Sequence, residues 1–552
     1  MSADLIVVGS GAGGLTAATV AALHGLDVVL LEATEYFGGT TACSGGGVWV
    51  PANRYQKSLG IDDDFVMAER YVKAILGDEY NAEKLSAYIH KATEMLDYME
   101  DNTELKLTAT NFPDYEPSEP GHNIGRCLLT AEYSGTLLGP LFDKLRPPIP
   151  EMGLFGSMQL NPADAVAMQQ WRQSFAAFKT TVSRFFSFVM DKLKYGRGTF
   201  LANGNALAAR LLKSAEDAGV TLRHNARVRD LLVDNNRVVG VVVEINGVRE
   251  EIRADKAVIL ASGGFGANPE MRARYIPQTA AGYNVQPEGS RGDGIIMAQK
   301  AGGVFKADNV ANAIWVPASK CQRSDGSTAI FPSLFFDRHS PGSMMVDAAT
   351  GKRFLNEGFH YQSFGENCAR LGVEKVWLLA DSRFIKKYGM GMVKPWPFPK
   401  KSWIKKGYLI KADSIKALAD SIGVEAVVLE DTFAHFNQDA QQGKDSEFGR
   451  GEDAYSAYMG DAAHQPNPGL APLDKPPFYA LEIRPSDLCT LAGVETNALA
   501  QVVSEDGSVI EGLYAVGIDA NTVMRYYPGG GTSLGPAMTF AYIAAKHIAE
   551  TR

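Results

Sequence analysis

The sequence predicts an α/β protein: a parallel-sheet domain split in sequence, with an α+β domain inserted between its two parts. Three observations predict it. A strand, glycine turn, helix and second strand open the chain over residues 5–32, "LIVVGSGAGGLTAATVAALHGLDVVLLE". A β-meander over residues 226–260 then returns to a buried apolar strand that ends in "ASGGFG". Near the C-terminus a third apolar strand, "GLYAVG" at 512–517, also ends in glycine. Strands so far apart in sequence share one sheet when the chain between them folds elsewhere.

The chain's 552 residues exceed one ordinary core, so two or more domains are expected. The expected division is 1–282 with 472–552 for the split domain and 283–471 for the insert. Apolar residues at 45% and charged residues at 21% describe a globular composition. A net charge of -9 argues against a general nucleic-acid binder. Five cysteines lie scattered without a CxxC, which gives neither a disulfide framework nor a zinc site. No metal is expected, and a reducing, cytoplasmic setting is the plain expectation. Leu5–Val8 is too short for a signal-peptide core, and no apolar run reaches the roughly 20 residues of a membrane span.

In the opening unit, Gly9, Gly11 and Gly14 form GxGxxG between a strand and a helix, and Glu32 ends the next strand. That context makes a dinucleotide fingerprint of an otherwise weak motif. Gly9 makes the tight turn, Gly11 lets a pyrophosphate approach the backbone, and Gly14 lets helix and strand pack closely. Ala12 and Gly13 open the helix whose N-terminus faces the phosphates. Glu32 is expected to accept the ribose hydroxyls. A second Gly/Thr/Ser loop follows at once, "ATEYFGGTTACSGGGVWVPAN" (residues 33–53). A nicotinamide nucleotide does not need it. A longer cofactor with an isoalloxazine ring does, so Gly39, Thr40, Thr41, Ser44, Gly45 and Gly46 are read as FAD contacts. No second GxGxxG marks a separate NAD site. Ala261 and Gly263 at the second glycine turn, and Asp519 after "GLYAVG", complete a Rossmann-like FAD-binding domain, with Asp519 expected beside the ribityl chain.

Residues 171–194, "WRQSFAAFKTTVSRFFSFVMDKLK", set an aromatic stripe at helical spacing among five cations and one acid. Such a helix either packs on its own domain or touches a membrane surface.

With "VVGSGAGGLTAA", "GGTT", "ASGGFG", "GDGIIMAQKAG", "GKRFLNE", "GLYAVG" and "GGGTSLGPAMTFAYIA" in place, the chain resembles the fumarate reductase/succinate dehydrogenase flavoprotein superfamily over nearly its whole length. Within it, the chain looks most like the FAD-dependent 3-ketosteroid dehydrogenases. The resemblance implies an FAD domain, an inserted catalytic domain and an active site between them. Residues 40–47 hold no His, which implies noncovalent FAD. "RFLNEGFHY" places Tyr361 where fumarate reductases carry an Arg proton donor. "CTLAG" places Cys489 where they carry a His for a carboxylate.

The resemblance assigns the ketone oxygen to Tyr527 and the Gly531 N–H, proton abstraction to Tyr361, and support of that base to Tyr115. Tyr526 competes with Tyr527, but the register favours the residue directly before Pro528. The turn "RYYPGGG" then leads to Gly535-Pro536, read as the start of the last helix. The N–H groups of Ala537 and Met538 are expected to face the flavin's N1/C2=O edge, where the helix dipole favours negative charge.

The implied activity is dehydrogenation beside a ring ketone, Δ1 of a 3-ketosteroid first. Alternatives are the Δ4-(5α) position, or another cyclic ketone such as 4-oxocyclohexanecarboxylate with Arg525 as carboxylate partner. A fumarate- or urocanate-type reductase and a non-catalytic flavin sensor stand further off. Expected partners are a steroid-like cyclic ketone and an unidentified electron acceptor, quinone or similar.

Overall fold

The computed structural model describes residues 2–77, 80–161, 164, 167–168, 174–280, 283–334 and 336–551. Residue 282 at the expected domain boundary and residues 171–173 of the expected amphipathic helix lie outside the described residues. Two compact units are present. The first comprises residues 1–275, 286–313 and 489–552, the second residues 276–285 and 314–488.

The first unit is built on an eight-stranded sheet. Its central strand, Ser2–Val8, is parallel to Val28–Leu31 on one side and to the far half of Val248–Leu260 on the other. Leu5, Ile6 and Val7 have no exposed surface. They are apolar without alternation because a parallel strand is covered on both faces. One cover is Ala12–Leu23, where Ala12 to Ala21 are all buried. Its small side chains let it pack tightly among the sheet and the helices Asn203–Asp217 and Leu534–Glu550. The strand Val248–Leu260 does two jobs. Its first half pairs antiparallel with Arg237–Ile245, closing the meander. Its second half pairs parallel with Ser2–Val8 and Val509–Ala515. The three sequence-predicted strands are thus neighbours in one sheet, although about half the chain separates the second from the third.

The second unit carries a six-stranded sheet in the order Thr328–Pro332, Ala313–Gln322, Phe478–Thr490, Val376–Ala380, Ser343–Asp347, with Ile410–Ala412 also on Phe478–Thr490. Thr328–Pro332 pairs antiparallel with Ala313–Gln322, and Val376–Ala380 pairs antiparallel with Ser343–Asp347 and with Phe478–Thr490, as does Ile410–Ala412 with Phe478–Thr490. Side chains alternate between two apolar clusters. Val376, Leu378 and Ala380 join one, and Trp377 and Leu379 join the other. Period-2 alternation between two buried faces makes this the α+β insert.

The units part at other residues than the sequence suggests. Residues 472–488 go with the second unit, because Phe478–Thr490 is an interior strand of its sheet. Residues 286–313 stay with the first.

Candidate active site

The glycine turns sort by what surrounds them. Gly9 has φ +108°, and a Cβ there would lie 2.2 Å from the Ala261 carbonyl oxygen. A Cβ on Gly14 would lie 2.0 Å from the Gly9 oxygen. Both positions exclude any larger residue and bring the first glycine turn against the second. Gly13 instead packs near Val516, Gly517 and Ala537. Around Gly11, Gly39 and Gly45 there is room. A Cβ on Gly11 or Gly39 meets no atom closer than 3.6 Å, and one on Gly45 meets none within 4 Å. Gly46 packs on the Asn203–Gly204 backbone, and the Ser44 Oγ caps the Gly46 N–H at 3.1 Å.

Donors near this space are partly committed. The Thr41 hydroxyl accepts the Ala12 N–H at 2.9 Å. The Thr40 hydroxyl is buried without a hydrogen-bond partner. A buried, orphaned hydroxyl beside an open glycine cradle fits a polar ligand such as FAD. Glu32 is 7% exposed and accepts from Ser10 and from the Thr34 N–H and hydroxyl at 2.9 and 2.8 Å. Ribose hydroxyls there would share the carboxylate with Ser10 and Thr34.

Two expected cofactor contacts have protein partners of their own. Asp519, expected beside the ribityl chain, has no exposed surface. One of its oxygens accepts the Ser262 N–H and the other the Gly264 N–H at 3.0 Å. It pins the second glycine turn, next to Ala261 and Gly263, and burial pushes its carboxyl up from the ordinary range. The last helix runs Leu534–Glu550, so Pro536 sits within its first turn. The Ala537 N–H already donates to Ser533 at 3.1 Å, and Met538 lies a residue deeper in the helix. The donors this end leaves for an anion are the N–H groups of Ser533 and Leu534, which find no acceptor among the described residues.

The tyrosine–glycine turn is also in the first unit. The Gly531 N–H donates to the Tyr527 hydroxyl at 3.1 Å. Gly531 has φ +87°, and a Cβ there would strike the Gly47 backbone at 2.7 Å. The two groups therefore converge through a backbone shape that only glycine adopts here. Tyr115 meets Tyr527 edge-on, with ring centroids 5.7 Å apart. The Pro528 carbonyl accepts the Tyr115 N–H at 3.0 Å and the Tyr71 hydroxyl at 2.7 Å. Tyr526 points elsewhere, its hydroxyl 3.2 Å from Glu116. Arg525 is tied back to Asp308, through its carbonyl and a 3.7 Å ion pair.

Under this turn lies a network that sequence reasoning missed. Asp114 accepts from the Trp49 indole and from Arg126, each at 2.7 Å. Arg126, fully buried, also forks onto Asp63 at 2.9 and 2.6 Å. Burial would raise the Asp63 carboxyl, but the hydrogen bonds and charge of Arg126 hold it below its ordinary value. The one local signal was Asp114 directly before Tyr115. Its partners come from distant segments.

Tyr361 belongs to the second unit and is the first residue of Tyr361–Leu371. His360 caps that helix, its Nδ1 accepting the Ser363 N–H at 3.2 Å. The preceding "RFLNE" segment is locked by buried charges. Arg353 bonds Glu357 at 2.9 Å and both oxygens of Asp445 at 2.8 and 2.7 Å. Arg450 bonds Glu357 at 2.9 Å. The motif is thus a structural anchor that sets where the Tyr361 helix begins. Cys489 is buried.

The model of the FAD binding domain family matches residues 4–534. The 4-oxocyclohex-2-ene-1-carboxylate 5-dehydrogenase of Sinomonas cyclohexanicum is 37% identical, over 100% of this chain and 94% of that protein. The 3-oxosteroid 1-dehydrogenase of Mycolicibacterium smegmatis is 35% identical, over 99% of this chain and 97% of that one. Among solved structures, the 3-ketosteroid delta1-dehydrogenase of Sterolibacterium denitrificans, in complex with 1,4-androstadiene-3,17-dione, is similar over all of both chains. Its TM-score is 0.91 and its identity 35%.

Proposed function

From the premise that the chain belongs to the FAD binding domain family, as an FAD-dependent oxidoreductase with 3-oxosteroid dehydrogenases among its relatives, we propose that it introduces a C=C bond beside a ring ketone. The leading substrate is a 3-ketosteroid, desaturated at Δ1. The observation that carries this reading is the pairing of the Tyr527 hydroxyl with the Gly531 N–H at 3.1 Å. That bond sets the Tyr527 hydroxyl beside the Gly531 N–H, and the two, turned onto a bound ketone oxygen in place of each other, would form an oxyanion hole as it becomes enolate-like.

Removing hydrogen from the carbons α and β to a ketone needs that hole, a base for the α-proton and an acceptor for the β-hydride. Bound FAD supplies the acceptor. Tyr361 takes the α-proton. A tyrosine with an ordinary pKa of about 10 is a weak base at neutral pH, so the polarised ketone must make the proton acidic. Tyr115 packs edge-on against Tyr527 and holds its ring in place. An acceptor, quinone or similar, then takes up the electrons.

A second reading has one observation behind it: the 37% identical relative acts on a cyclohexenone carboxylate. Arg525 is a poor carboxylate partner for it while Asp308 holds the guanidinium.

The test is anaerobic mixing of the purified yellow protein with androst-4-ene-3,17-dione, 5α-androstane-3,17-dione or 4-oxocyclohexanecarboxylate. Flavin bleaching with the first supports Δ1 chemistry. Bleaching only with the third moves the assignment to carboxylated cyclohexanones. No bleaching with any ketone ends the dehydrogenase reading. Acid precipitation should release the flavin if it is noncovalent.

A further inference from the structure

The helix Phe65–Leu76 sends one side chain beneath the tyrosine turn. Asp64 caps the helix, its carboxylate accepting the Met67 N–H at 2.6 Å. Ala68, Tyr71, Val72 and Leu76 are buried, so one face of the helix packs inward. Tyr71 stands on that face and has no exposed surface. The loop that follows Tyr115 lies directly on this helix. Gly121 has φ +86°, and a Cβ there would strike the Met67 carbonyl oxygen and the Tyr71 nitrogen. Glycine is what lets the loop come so close to the helix backbone.

The Tyr71 hydroxyl meets two loops at once. It donates to the Pro528 carbonyl at 2.7 Å and accepts the Glu116 N–H at 3.0 Å. Each loop carries a tyrosine of the candidate site: Pro528 follows Tyr527, and Glu116 follows Tyr115. The loops also touch directly, through the Tyr115 N–H on the Pro528 carbonyl at 3.0 Å. One backbone bond leaves a hinge, whereas a second bond to the same carbonyl, from a side chain that also grips the neighbouring N–H, removes it. The Tyr71 ring is held in turn, because the Arg126 guanidinium lies 5.7 Å from its centre. Burial, with the charge of Asp114, pushes the Tyr71 hydroxyl well above its ordinary pKa. The group therefore stays protonated and keeps donating.

We propose that Tyr71 is a positioning residue for the ketone: its hydroxyl fixes Tyr527 and Tyr115 relative to each other and acts on the reaction through Tyr527. The inference rests on the reading of Tyr527 as an oxyanion donor. The single O–H of Tyr71 is already used on Pro528, so it has no proton left to offer a ketone. What it supplies is geometry. An oxyanion donor works only where it meets the oxygen as charge develops there, and a displacement of about 1 Å costs about 10²-fold in rate. Removing the Tyr71 hydroxyl loosens the turn and takes that acceptor from the Glu116 N–H.

The test is a double-mutant cycle on the anaerobic rate of flavin reduction by androst-4-ene-3,17-dione, measured on the flavin-loaded full chain and counted per bound flavin. Counting in this way lets a variant that folds poorly still report. Tyr71→Phe keeps the ring and deletes the hydroxyl. In the wild-type background its rate should fall about 10–100-fold, with a much smaller change in KM. In the Tyr527→Phe background the same change should cost no more than about twofold, because the donor it positions is gone. Placing 4-aminophenylalanine at position 71 returns a donor to the Pro528 carbonyl and should restore most of the rate. Equal losses in the two backgrounds overturn the proposal, since Tyr71 then acts by a route other than Tyr527. An unchanged Tyr71→Phe, or no rescue by the amine, overturns it as well, while a slow Tyr527→Phe leaves the oxyanion reading standing. An unchanged Tyr527→Phe ends the oxyanion reading and takes the proposal with it.

Discussion

Replacing Tyr527 by Phe tests the oxyanion hole most directly. The change keeps the ring, so the edge-on contact with Tyr115 at 5.7 Å survives. It deletes the hydroxyl 3.1 Å from the Gly531 N–H. Two costs follow. The Gly531 N–H, in a buried turn, loses its partner, which costs about 1–3 kcal/mol of stability when nothing replaces it. The ketone loses one of two donors, which costs about 10²–10³ in kcat, or some 3–4 kcal/mol of transition-state stabilisation. The assay is the anaerobic rate of flavin reduction at saturating ketone, with the melting temperature read on the same sample. The two losses separate because a folding defect lowers the amount of yellow protein, whereas a hole defect slows each molecule. Tyr526→Phe is the control: it breaks a 3.2 Å bond to Glu116 next to the same turn. The expected result is a folded, flavin-loaded Tyr527→Phe with a rate lower by that factor and a nearly normal Tyr526→Phe. A folded Tyr527→Phe with unchanged turnover, or a Tyr526→Phe that loses as much, would refute the assignment.

Tyr361→Phe should lower the rate about 10²–10⁴-fold with the flavin spectrum intact, as expected of a lost general base; stopped-flow reduction reads it. Gly14→Ala places a methyl 2.0 Å from the Gly9 oxygen, so the protein should purify colourless or not fold, seen as the ratio of flavin to protein absorbance. Arg126→Met strands Asp63 and Asp114 in the core and should cost about 3–5 kcal/mol in urea denaturation. Acid should weaken the second unit through Asp445. Burial alone would raise this carboxyl, but bonds from Arg353 lower it from an ordinary 3.8 to about 2. A depressed pKa adds stability that is full above the unfolded value and is lost as pH falls through the folded one. The urea midpoint of the wild-type chain should therefore drop between pH of about 4 and about 2, and Arg353→Met should flatten that drop.

Much of the first unit could be read along the chain because its determinants are local. A strand, a turn that only glycine permits and an all-small helix are contiguous over residues 5–23, and Gly9 and Gly14 stand where that reading puts them. Asp519 shows where local reading stops. Its place after an apolar strand suggested a ribityl contact; what the strand does not show is that its oxygens also accept the N–H groups of Ser262 and Gly264, more than 250 residues earlier in the chain. The Trp49–Asp114–Arg126–Asp63 network could not be read at all. Each residue is ordinary in its own segment, and only burial side by side makes them one unit.

The sequence by itself determined the glycine turns, the two-part sheet and the residue types of the tyrosine turn. These follow from steric limits on φ and from the alternation or continuity of apolar residues, which act between near neighbours. Tertiary structure decided how these parts are used. It paired the Tyr527 hydroxyl with the Gly531 N–H, tied Arg525 to Asp308, began the last helix at Leu534, and turned the aromatic stripe of Phe175–Tyr195 outward. Hydrogen-bond partners and exposed faces depend on what distant segments bring within about 3–4 Å, the range over which hydrogen bonds and packing act, and one chain's local pattern does not encode that.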